Sequence, residues 1–351
     1  MYSVSVIMPI YNNEKTLKRA IDSMLDQKLH ALELILINDG STDSSGDICE
    51  EYVKKEPLLV EVIHQEHSGD HHAKNIGLYH SNGRFIYFAD PKTIYDKNFL
   101  QDNVNLAVQK DAELVVFGFS LLISNNEEEF EHHLPRMPFL DSQENFRNHF
   151  RNFYHFYPYV TFNKLYRKEF IVKNRIKFQS MPGTGDAFFN LDLYKELGSV
   201  AFNRKSYFYR QSRNFSQTIS YSEKKFVQSI KLVEKLEETI SHWGYTDEFK
   251  DIVAEEYYKV CYSEFVNLSK EKTSFSQKQK EEKILSIIQN NKFQQSFEQI
   301  KHQAIDLPLH KELTSLIQKK NIKGITNLFS KTPDSKRKTS IKTFLLKSFK
   351  L

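Results

Sequence analysis

The chain has 351 residues, of which 40% are hydrophobic and 27% charged, a composition typical of a globular protein and not of a disordered one. Its net charge is +4, but residues 331–351 hold seven Lys or Arg and one Asp, a local net of +6, so the rest of the chain sums to −2. This distribution argues against a general nucleic-acid-binding surface.

The sequence predicts a cytoplasmic protein without a membrane span. Its first residues, MYSVSVIMPIYNN, lack the basic start of a secretory signal, and the longest apolar stretch, Leu114–Ile123, is too short to cross a bilayer. That stretch predicts a buried strand. Cys49 and Cys261 make neither a disulfide framework nor a metal-ligand pattern, which is compatible with a reducing compartment.

The first hundred residues alternate strand and helix patterns. Strands are predicted at Val4–Ile10, Leu32–Ile37, Leu58–Ile63 and Arg84–Ala89. Apolar residues recur at helical spacing between them, and a helix is expected to begin near Asp70. This order predicts a parallel sheet covered by helices, with ligands bound beyond the carboxyl ends of the strands. The loops PIYNN, NDGSTD and ADPK each follow a strand and are expected to converge at that edge.

The later part of the chain changes character twice. Phe146, Phe150, Phe153 and Phe156 recur at helical spacing, which predicts a core-facing stripe, with a sugar-stacking platform as the alternative. A strand is predicted at Ser206–Gln211. Beyond residue 222 glycine is scarce and apolar residues follow the helical period. We therefore expect three parts: an α/β domain at 1–221, a helical domain at 222–330 and a tail at 331–351.

The tail has the pattern of a basic amphipathic helix. Its apolar residues Ile341, Phe344, Leu345 and Phe349 share one helical face, and lysines lie on the others. Such a helix is typical of membrane-surface contact, here through residues 336–351 and anionic lipid. A solvated tail and a helix that docks on the helical domain are the alternatives.

Six segments occur in an order and at intervals typical of one enzyme family. They are VSVIMPIYNNEKTLKRAIDSML, LELILINDGSTDSS, HSGDHHAKNIGL, GRFIYFADPK, FNKLYRKEFI and GDAFFN. Over residues 3–215 the chain resembles the family 2 glycosyltransferases, which have the GT-A fold. The resemblance implies a Rossmann-like, mostly parallel sheet with helices on both faces, followed here by an α-helical C-terminal region.

The resemblance also implies an activity. A family member of this kind is an inverting glycosyltransferase that moves a sugar from a nucleotide sugar, here UDP-linked, to a hydroxyl of a bacterial surface glycan, a teichoic-acid-like polymer or a lipid-linked acceptor. A catalytically silent GT-A module that serves as the binding subunit of another glycosyltransferase is the main alternative. A nucleotidyltransferase is disfavoured, because no Gly-rich basic triphosphate loop lies near the start. The helical domain is expected to bind an acceptor polymer or to form a homo-oligomer.

Several site residues follow from the matched motifs. Pro9, Tyr11 and Asn12 match the family's Pro-x-Tyr-Asn and are expected to border the base. Asp39 is expected to accept the imide N–H of a uracil ring. Helix capping by its neighbours Ser41, Thr42 and Asp43 is the alternative for that turn, and both roles can coexist.

The third matched segment adds two nucleotide-binding candidates. Lys74 stands where the family has arginine, and Asn75 matches the family's asparagine, so both are expected near the nucleotide at a helix start. The nearby histidines His64, His67, His71, His72 and His80 are expected to lie too far apart along the chain for a metal site. His71 or His72 near the donor phosphates is a further alternative.

The fourth segment departs from the family pattern. Asp90 matches the first acid of the acid-x-acid motif, but Lys92 stands where the second acid would complete a Mn²⁺ or Mg²⁺ site. Three interpretations stay open: metal-free transfer in which Lys92 neutralises the diphosphate, a cation held through other ligands, and an inactive site.

The last two segments supply the catalytic candidate and a cation. The family's Glu-Asp becomes Gly185 and Asp186, and the resemblance implies that Asp186 is the general base on the acceptor hydroxyl. Capping of the following helix is the alternative role of Asp186. Arg210, in a basic segment, is expected to bind the diphosphate, and simple exposure is the alternative.

Overall fold

The computed structural model describes residues 2–123, 128–132, 134, 136–154, 156, 158–181, 183–212, 223–269, 275–301 and 309–330, and for 121–123, 128–132, 208–212, 223 and 330 the backbone alone. The chain divides into two compact units, residues 1–213 and residues 214–351. The predicted boundary after residue 221 stays a prediction, because residues 213–222 lie outside the described part.

The first unit alternates strands and helices as the sequence predicted. Its described strands are β1 Val4–Ile10, β2 Leu32–Asp39, β3 Val60–Gln65, β4 Phe85–Phe88, β5 Ile94–Tyr95, β6 Leu114–Ile123, β7 Glu128–His132, β8 Lys164–Arg167 and β9 Val200–Ser212. Its described helices are α1 Glu14–Leu25, α2 Ser45–Lys55, α3 Asp70–His80, α4 Phe99–Gln109, α5 Gln143–Asn148, α6 Phe150–Tyr154, α7 Lys168–Lys173 and α8 Gly185–Glu196. The predicted bounds of β1 and β6 are confirmed to the residue, whereas β3 begins two residues later than predicted.

The nine strands among the described residues form one sheet. Its order is β3-β2-β1-β4-β8-β6-β9-β5, with β7 paired to β6. The four strands β3, β2, β1 and β4 are mutually parallel, while β8, β5 and β7 pair antiparallel to their neighbours. The loops after the first four strands therefore open at one edge, with the central strand β1 between β2 and β4, which is the arrangement that favours a ligand crevice.

Helices cover both faces of this sheet, and β1 shows how. Val6 and Met8 belong to a core that includes Leu17 of α1, and all three are fully buried. Since side chains alternate along a strand, Ile7 faces the other side. There α3 lies so close that a β-carbon on Gly77 would be 2.3 Å from Ile7 Cγ2. Gly77 thus sets the depth at which α3 sits on the sheet.

The four phenylalanines at helical spacing lie in the core of the first unit. Phe146, Phe150 and Phe153 have no exposed surface and Phe156 has 5%. Phe146 and Phe153 also contact Tyr194 of α8, with ring centroids 5.8 and 5.1 Å apart. The predicted core stripe is confirmed, and a sugar-stacking platform on these rings is wrong.

The second unit is helical, as predicted. Its described helices are α9 Glu223–Trp243, α10 Lys250–Leu268, α11 Gln277–Gln289, α12 Asn291–Ile300, α13 His310–Gln318 and α14 Ile322–Ser330. Tyr258, Phe265 and Phe293 lie at the centre of its core. Ser276 begins α11 with a capping box, in which its hydroxyl accepts from the Gln279 N–H.

Two predictions concern compartment and membrane. Cys49 and Cys261 are both free and buried, and they lie in different units. In the part of the chain that the structure describes, no helix combines the length and the apolar character that a bilayer crossing requires. The predicted amphipathic tail, residues 336–351, lies outside the described residues.

Candidate active site

Asn12 ties the loop after β1 to the loop after β2. Its backbone N–H donates to Ser41 Oγ at 3.1 Å, and its side-chain oxygen accepts from the Thr42 N–H at 2.8 Å. Asn12 has a φ of 53°, a left-handed conformation that asparagine tolerates better than most residues. Pro9 is buried inside β1. The structure therefore places Pro9 in the sheet, and it places Asn12 where its hydrogen bonds join the loops after β1 and β2.

Asp39, at the end of β2, anchors the loop between β3 and α3. Its Oδ1 accepts from Gln65 Nε2 at 2.5 Å and from the Ser68 N–H at 2.8 Å. Its Oδ2 accepts from the Gly69 N–H at 2.9 Å and lies 3.0 Å from His67 Nδ1. The Asp39 side chain is 3% exposed, so these four contacts occupy the acceptor positions of its carboxylate.

Tyr11 presents an aromatic ring beside Asp39. The ring is 45% exposed and stacks on His67, with centroids 4.0 Å apart and an interplanar angle of 25°. The His67 side chain is itself about half exposed, at 54%. A planar ring that approached this edge would therefore meet Tyr11 and His67 before it reached the carboxylate.

Asp90 and Lys92 form a tight turn after β4. The Lys92 N–H donates to Asp90 Oδ1 at 2.9 Å, and the Asp90 N–H donates to Tyr95 Oη, also at 2.9 Å. Both side chains are half-buried. The turn fixes the direction of the Asp90 carboxylate at the carboxyl edge of the parallel strands.

A buried lysine joins α3 to α8. The Lys74 ammonium, 8% exposed, lies 2.7 Å from Asp70 Oδ2 and 2.7 Å from Asp186 Oδ1. The Thr161 hydroxyl donates to the second oxygen of Asp186 at 2.9 Å. Asp70 and Lys74 are four residues apart and share a face of α3, so only Asp186 is brought in by the fold. Both oxygens of Asp186 thus accept a hydrogen bond.

Asp70, Lys74, Thr161 and Asp186 form what we call the Asp186 cluster. Their contacts set the charge states of Lys74 and Asp186. Burial opposes ionisation of Asp186, but the Lys74 charge and the bonds from Lys74 and Thr161 hold the pKa of its carboxyl below the usual value. Burial likewise opposes the charge of Lys74, yet Asp186 and Asp70 raise the pKa of its ammonium. Asp186 and Lys74 are therefore both charged at neutral pH.

The capping role considered for Asp186 is wrong. The residue before α8 is Thr184, which makes no side-chain cap, and Asp186 lies in the first turn of the helix. Its carboxylate instead points to Lys74 and Thr161. The position in the first turn also favours the anionic form through the helix dipole.

Asn75 is occupied by the protein backbone. Its Nδ2 donates to the Phe178 carbonyl at 2.8 Å, and its Oδ1 accepts from the Phe178 N–H at 2.9 Å. The bracket holds the Phe178 ring against Phe189, with centroids 4.1 Å apart and planes 6° from parallel. The Lys74 ammonium lies 5.2 Å from the same Phe178 ring. Asn75 therefore positions Phe178, whose ring lies beside the Lys74 ammonium.

His71 lies on Gly185, in the first turn of α8. A β-carbon on Gly185 would be 2.3 Å from both Cδ2 and Nε2 of the imidazole. The other side of the ring stacks loosely on Phe178, with centroids 6.1 Å apart. The imidazole occupies the volume that a side chain at position 185 would enter, so a larger residue there would require the ring to move.

The first part of the chain matches a known protein family. The profile described as Glycosyl transferase family 2 matches residues 5–174, which include β1 to β4 and the loops that follow them. Residues 5–174 therefore carry the family 2 domain.

Curated relatives agree with the family 2 domain. A Bacillus subtilis protein described as the uncharacterized glycosyltransferase EpsJ is 30% identical over 225 residues, which are 62% of this chain and 64% of EpsJ. The minor teichoic acid biosynthesis protein GgaA, also of B. subtilis, is 33% identical over 225 residues, which are 62% of this chain and 49% of GgaA. The chain thus spans less than two thirds of the length of these relatives.

Solved structures extend the likeness to almost the full chain. The S. aureus TarS fragment 1–349, in complex with UDP, has a TM-score of 0.66 at 18% identity and is covered to 92% by 97% of this chain. The same fragment in complex with UDP-GlcNAc has a TM-score of 0.65. At this identity the likeness establishes the fold, a GT-A domain followed by a helical region.

The turn after β4 of the family 2 domain does not fit a divalent cation. Mn²⁺ and Mg²⁺ take oxygen ligands, and an ammonium group at the second position of the motif repels a cation. Asp90 is the one carboxylate of the motif in this turn, and the residue at the second position, Lys92, is half-buried. The turn therefore offers one of the two carboxylates that the motif uses to hold a cation.

A second group of metal-type ligands lies in the cluster at α3. Asp70, His71 and Asp186 offer ligand atoms within 4.8 Å of one another. The Lys74 ammonium already bonds both carboxylates at 2.7 Å, so a cation there would have to displace it. The donor chemistry of this group is satisfied by the lysine.

The other histidines near α3 bind separate acidic residues. The contacts are His64–Glu50 at 2.9 Å, His67–Asp39 at 3.0 Å and His80–Glu61 at 3.0 Å. Each of these three histidines therefore has an acidic partner of its own.

The remaining candidate, Arg210, lies on β9, beyond the residues that the family profile matches. Arg210 pairs with Leu121 in the β9–β6 ladder, but its side chain lies outside the described residues, so its phosphate role stays a prediction. Asp70 and Thr161 were not singled out from the sequence. The spacing of Asp70, His71 and Lys74 on one helix face is the signal that would have found the first.

Proposed function

We propose that this chain is an inverting glycosyltransferase that moves a sugar from a nucleotide-sugar donor, UDP-linked, to a hydroxyl of a surface-glycan acceptor. The observation that carries the proposal is the Asp186 cluster. A partly exposed carboxylate, 32% exposed, is held in one orientation by Lys74 and Thr161 at the carboxyl edge of the parallel strands. A carboxylate that is held in one orientation is suited to interact with the acceptor hydroxyl as it reacts.

The proposed chemistry needs one proton acceptor on the acceptor side. The acceptor oxygen attacks the anomeric carbon opposite the donor diphosphate. The bond from that carbon to the phosphate oxygen breaks, and its electron pair leaves with the nucleoside diphosphate. The hydroxyl proton passes to a protein base at the Asp186 cluster. Because attack and departure are on opposite faces, the anomeric configuration inverts.

The donor is proposed to lie across the loops after β1, β2 and β4. Tyr11 offers its exposed ring to the base, and Asp39 lies beside it. A uracil imide that bonds Asp39 replaces one of its four present contacts, and the half-exposed His67 is the one nearest solvent. Lys92 and Arg210 are proposed to neutralise the diphosphate, which leaves as a dianion or more. The complexes of TarS with UDP and UDP-GlcNAc support a uridine donor.

The acceptor class follows from the relatives' names and from the tail. GgaA is described as a minor teichoic acid biosynthesis protein, which supports a teichoic-acid-like or other surface-glycan acceptor. The basic residues 331–351 support action at the cytoplasmic face of the membrane, on a lipid-linked or membrane-proximal acceptor. The helical unit is proposed to contact that acceptor or a second copy of the chain.

A second candidate is a silent module that binds a partner glycosyltransferase. Two departures from the family pattern favour it, Lys92 in place of an acid and Gly185 in place of Glu. Both have a structural explanation in an active protein, since Lys92 offers charge to phosphate and Gly185 makes room for His71.

The test is nucleotide release from a panel of UDP-sugars with membrane-derived acceptors, in the presence of EDTA. We expect wild-type turnover to persist in EDTA and Asp186→Asn to lower it about 10²–10⁴-fold. Asp192→Asn, on the same helix but bonded to Gln179, is the matched control and should keep wild-type turnover. A chain that turns over no nucleotide sugar yet binds another glycosyltransferase would support the silent module.

A further inference from the structure

A groove of about 500 Å³ lies between α3 and residues 168–177, a segment that contains α7. Its α3 side runs from His72 in the first turn of the helix to Tyr79 in the last, about 10 Å along the helix axis. A volume of this size accommodates a small ligand or a short stretch of a polymer. We call it the α3–α7 groove, and it is separate from the loops that are proposed to hold the donor.

The charged side chains that line the groove are basic. They are Lys168, Arg175 and Lys177, with His72 beside them, and no Asp or Glu of the described residues lines it. Arg175 and Lys177 are exposed, and neither has a salt-bridge partner in the part of the chain that the structure describes. The Lys168 ammonium donates to the Ser81 carbonyl, which leaves two of its N–H groups for a ligand. The groove therefore attracts an anion.

The floor of the groove is apolar. It is formed by Leu78 of α3 and by Ile171 and Ile176, both of which are buried. Tyr79 and Val172, which also line the groove, are 87% and 63% exposed. A bare inorganic anion gains little from such a surface, whereas the carbon atoms of a polyol or the apolar face of a sugar ring pack against it. The groove thus suits a ligand that combines a carbon framework with negative charge.

One end of the groove adjoins the Asp186 cluster. Asn75, on the α3 side, bonds the backbone of Phe178 at 2.8 and 2.9 Å, and Phe178 directly follows Lys177. The Phe178 ring lies 5.2 Å from the Lys74 ammonium, which bonds Asp186. A chain molecule whose end meets the Asp186 carboxylate can therefore extend past Phe178 into the groove.

The charge and shape of the groove select among the possible occupants. The basic tail of this chain, residues 331–351, holds seven Lys or Arg and one Asp, so the groove repels it. A bilayer surface binds side chains that protrude, whereas Ile171 and Ile176 form a recessed floor that a narrow chain can enter. An anionic polymer of sugar or polyol units satisfies both the cations and the recess.

We propose that the α3–α7 groove binds the part of the acceptor that extends away from the reacting hydroxyl, a polymer of sugar or polyol units joined by phosphodiesters. The proposal rests on the proposed glycosyl transfer. Arg175 and Lys177 pair with phosphate oxygens, and the apolar floor contacts the carbon atoms between phosphates. Because the groove does not touch the reacting atoms, it sets the affinity for the acceptor and not the rate of the bond-breaking step.

The test measures the affinity of the full chain for a synthetic glycerol phosphate oligomer, labelled at one end, by fluorescence anisotropy. Arg175→Asn combined with Lys177→Gln removes both cations, and asparagine suits the left-handed backbone at position 175, where φ is 53°. We expect this double variant to raise the Kd about tenfold, since two charge contacts are lost. Lys173→Gln combined with Lys54→Gln removes two exposed lysines that do not line the groove and should keep the Kd within about twofold.

Two further measurements separate binding from folding and from chemistry. Val172→Glu adds a negative charge at an exposed position of the groove and should weaken oligomer binding without unfolding the protein. With the oligomer as acceptor, the double variant at 175 and 177 should raise the acceptor KM about tenfold at an unchanged kcat and an unchanged KM for the UDP-sugar.

The outcomes distinguish the groove from the transfer reaction. If the double variant and its control have equal Kd values, or the wild type binds a neutral dextran oligomer as tightly, the groove assignment is wrong while the glycosyl transfer stands. Equally tight binding of polyglutamate would assign the groove to an acidic peptide. Anionic vesicles that bind the double variant less than its control would assign it to a membrane surface, and either result overturns the proposal. A wild type that binds the oligomer but releases nucleotide from no UDP-sugar overturns the proposed function and leaves the groove as a polymer site.

Discussion

Among the single residues of the site, Lys74 has the largest effect on the charge of Asp186, because its ammonium bonds that carboxylate. The sequence places it where the family has arginine and predicts a contact with the nucleotide. The structure instead shows its ammonium between Asp70 and Asp186, buried on α3. Asp186 lies 112 residues further along the chain, so no local pattern reveals this pair. Sequence motifs identified the carboxylate, and only the fold identified its partner.

Replacement of the lysine tests that pair. Lys74→Met leaves two carboxylates facing each other, and we expect the free energy of unfolding to fall by about 1–3 kcal/mol, less than for a fully buried pair because Asp70 is 55% exposed. Lys18→Met, which removes an exposed pair with Glu51, should change it by less than about 0.5 kcal/mol. Urea unfolding measures both, and equal losses would contradict the account.

The pH dependence of that loss has a defined sign. The folded pKa of Asp186 is depressed, so its stabilisation is present above the unfolded value of 3.8 and is lost as pH falls through the folded value. The folded pKa of Lys74 is raised, so its stabilisation is present below 10.5 and is lost as pH rises through the folded value. The difference between wild type and Lys74→Met should therefore be largest between about pH 5 and pH 10 and shrink on either side.

Lys92 is the second residue whose charge has a direct test. Lys92→Asp restores an acid-x-acid pair with Asp90, and we expect turnover to become dependent on Mn²⁺, because two carboxylates suit a cation that one carboxylate and an ammonium do not. Lys97→Asp, in the same connection but exposed, is the control and should stay insensitive to EDTA. If both variants respond to Mn²⁺ and EDTA as the wild type does, Lys92 has no part in phosphate neutralisation.

At the scale of elements, the sequence was most informative where burial is complete. β1 and β6 are continuous apolar runs, and their predicted bounds agree with the structure. β2 extends through Asn38 and Asp39, polar residues that the hydrophobic pattern excludes but that the sheet retains because the loop after β3 bonds Asp39. Tertiary hydrogen bonds of this kind leave no trace in local periodicity.

The packing of α3 on β1 depends on one missing side chain. Gly77→Ala places a methyl group 2.3 Å from Ile7 Cγ2, so either the helix or Ile7 must move, and we expect a loss of about 1–3 kcal/mol. Ile7→Ala alone should cost about 2–5 kcal/mol. In the double variant the missing Cγ2 makes room for the new methyl group, so the combined loss should be smaller than the sum of the two. Additive losses in a thermal or urea unfolding cycle would contradict this packing.

At the scale of the whole molecule, the excess positive charge and the candidate site belong to different parts of the chain. The excess positive charge belongs to residues 331–351, whereas the site lies in the first unit. Family motifs extend to about residue 215 and predicted that unit in detail. The helical unit could be predicted only as helical, since amphipathic periodicity gives the face that each helix buries but not its partner.

The tail is expected to hold the protein on anionic membranes. A chain that ends at Phe329 should partition onto vesicles containing anionic lipid at least about tenfold less than the full chain, because each basic residue near the surface contributes about 1 kcal/mol. Neutral vesicles should bind both chains weakly, and added salt should weaken the difference. Equal sedimentation of the two chains with anionic vesicles would show that the tail does not attach the protein to membranes.

Proton NMR of the transfer reaction tests the central claim most directly. An α-linked UDP-sugar is mixed with the wild type or with Asp186→Asn in EDTA, and the anomeric coupling of the product is followed together with UDP release. The account predicts a β-linked product from the wild type and almost none from Asp186→Asn. An α-linked product, or equal turnover by the two chains, would contradict it.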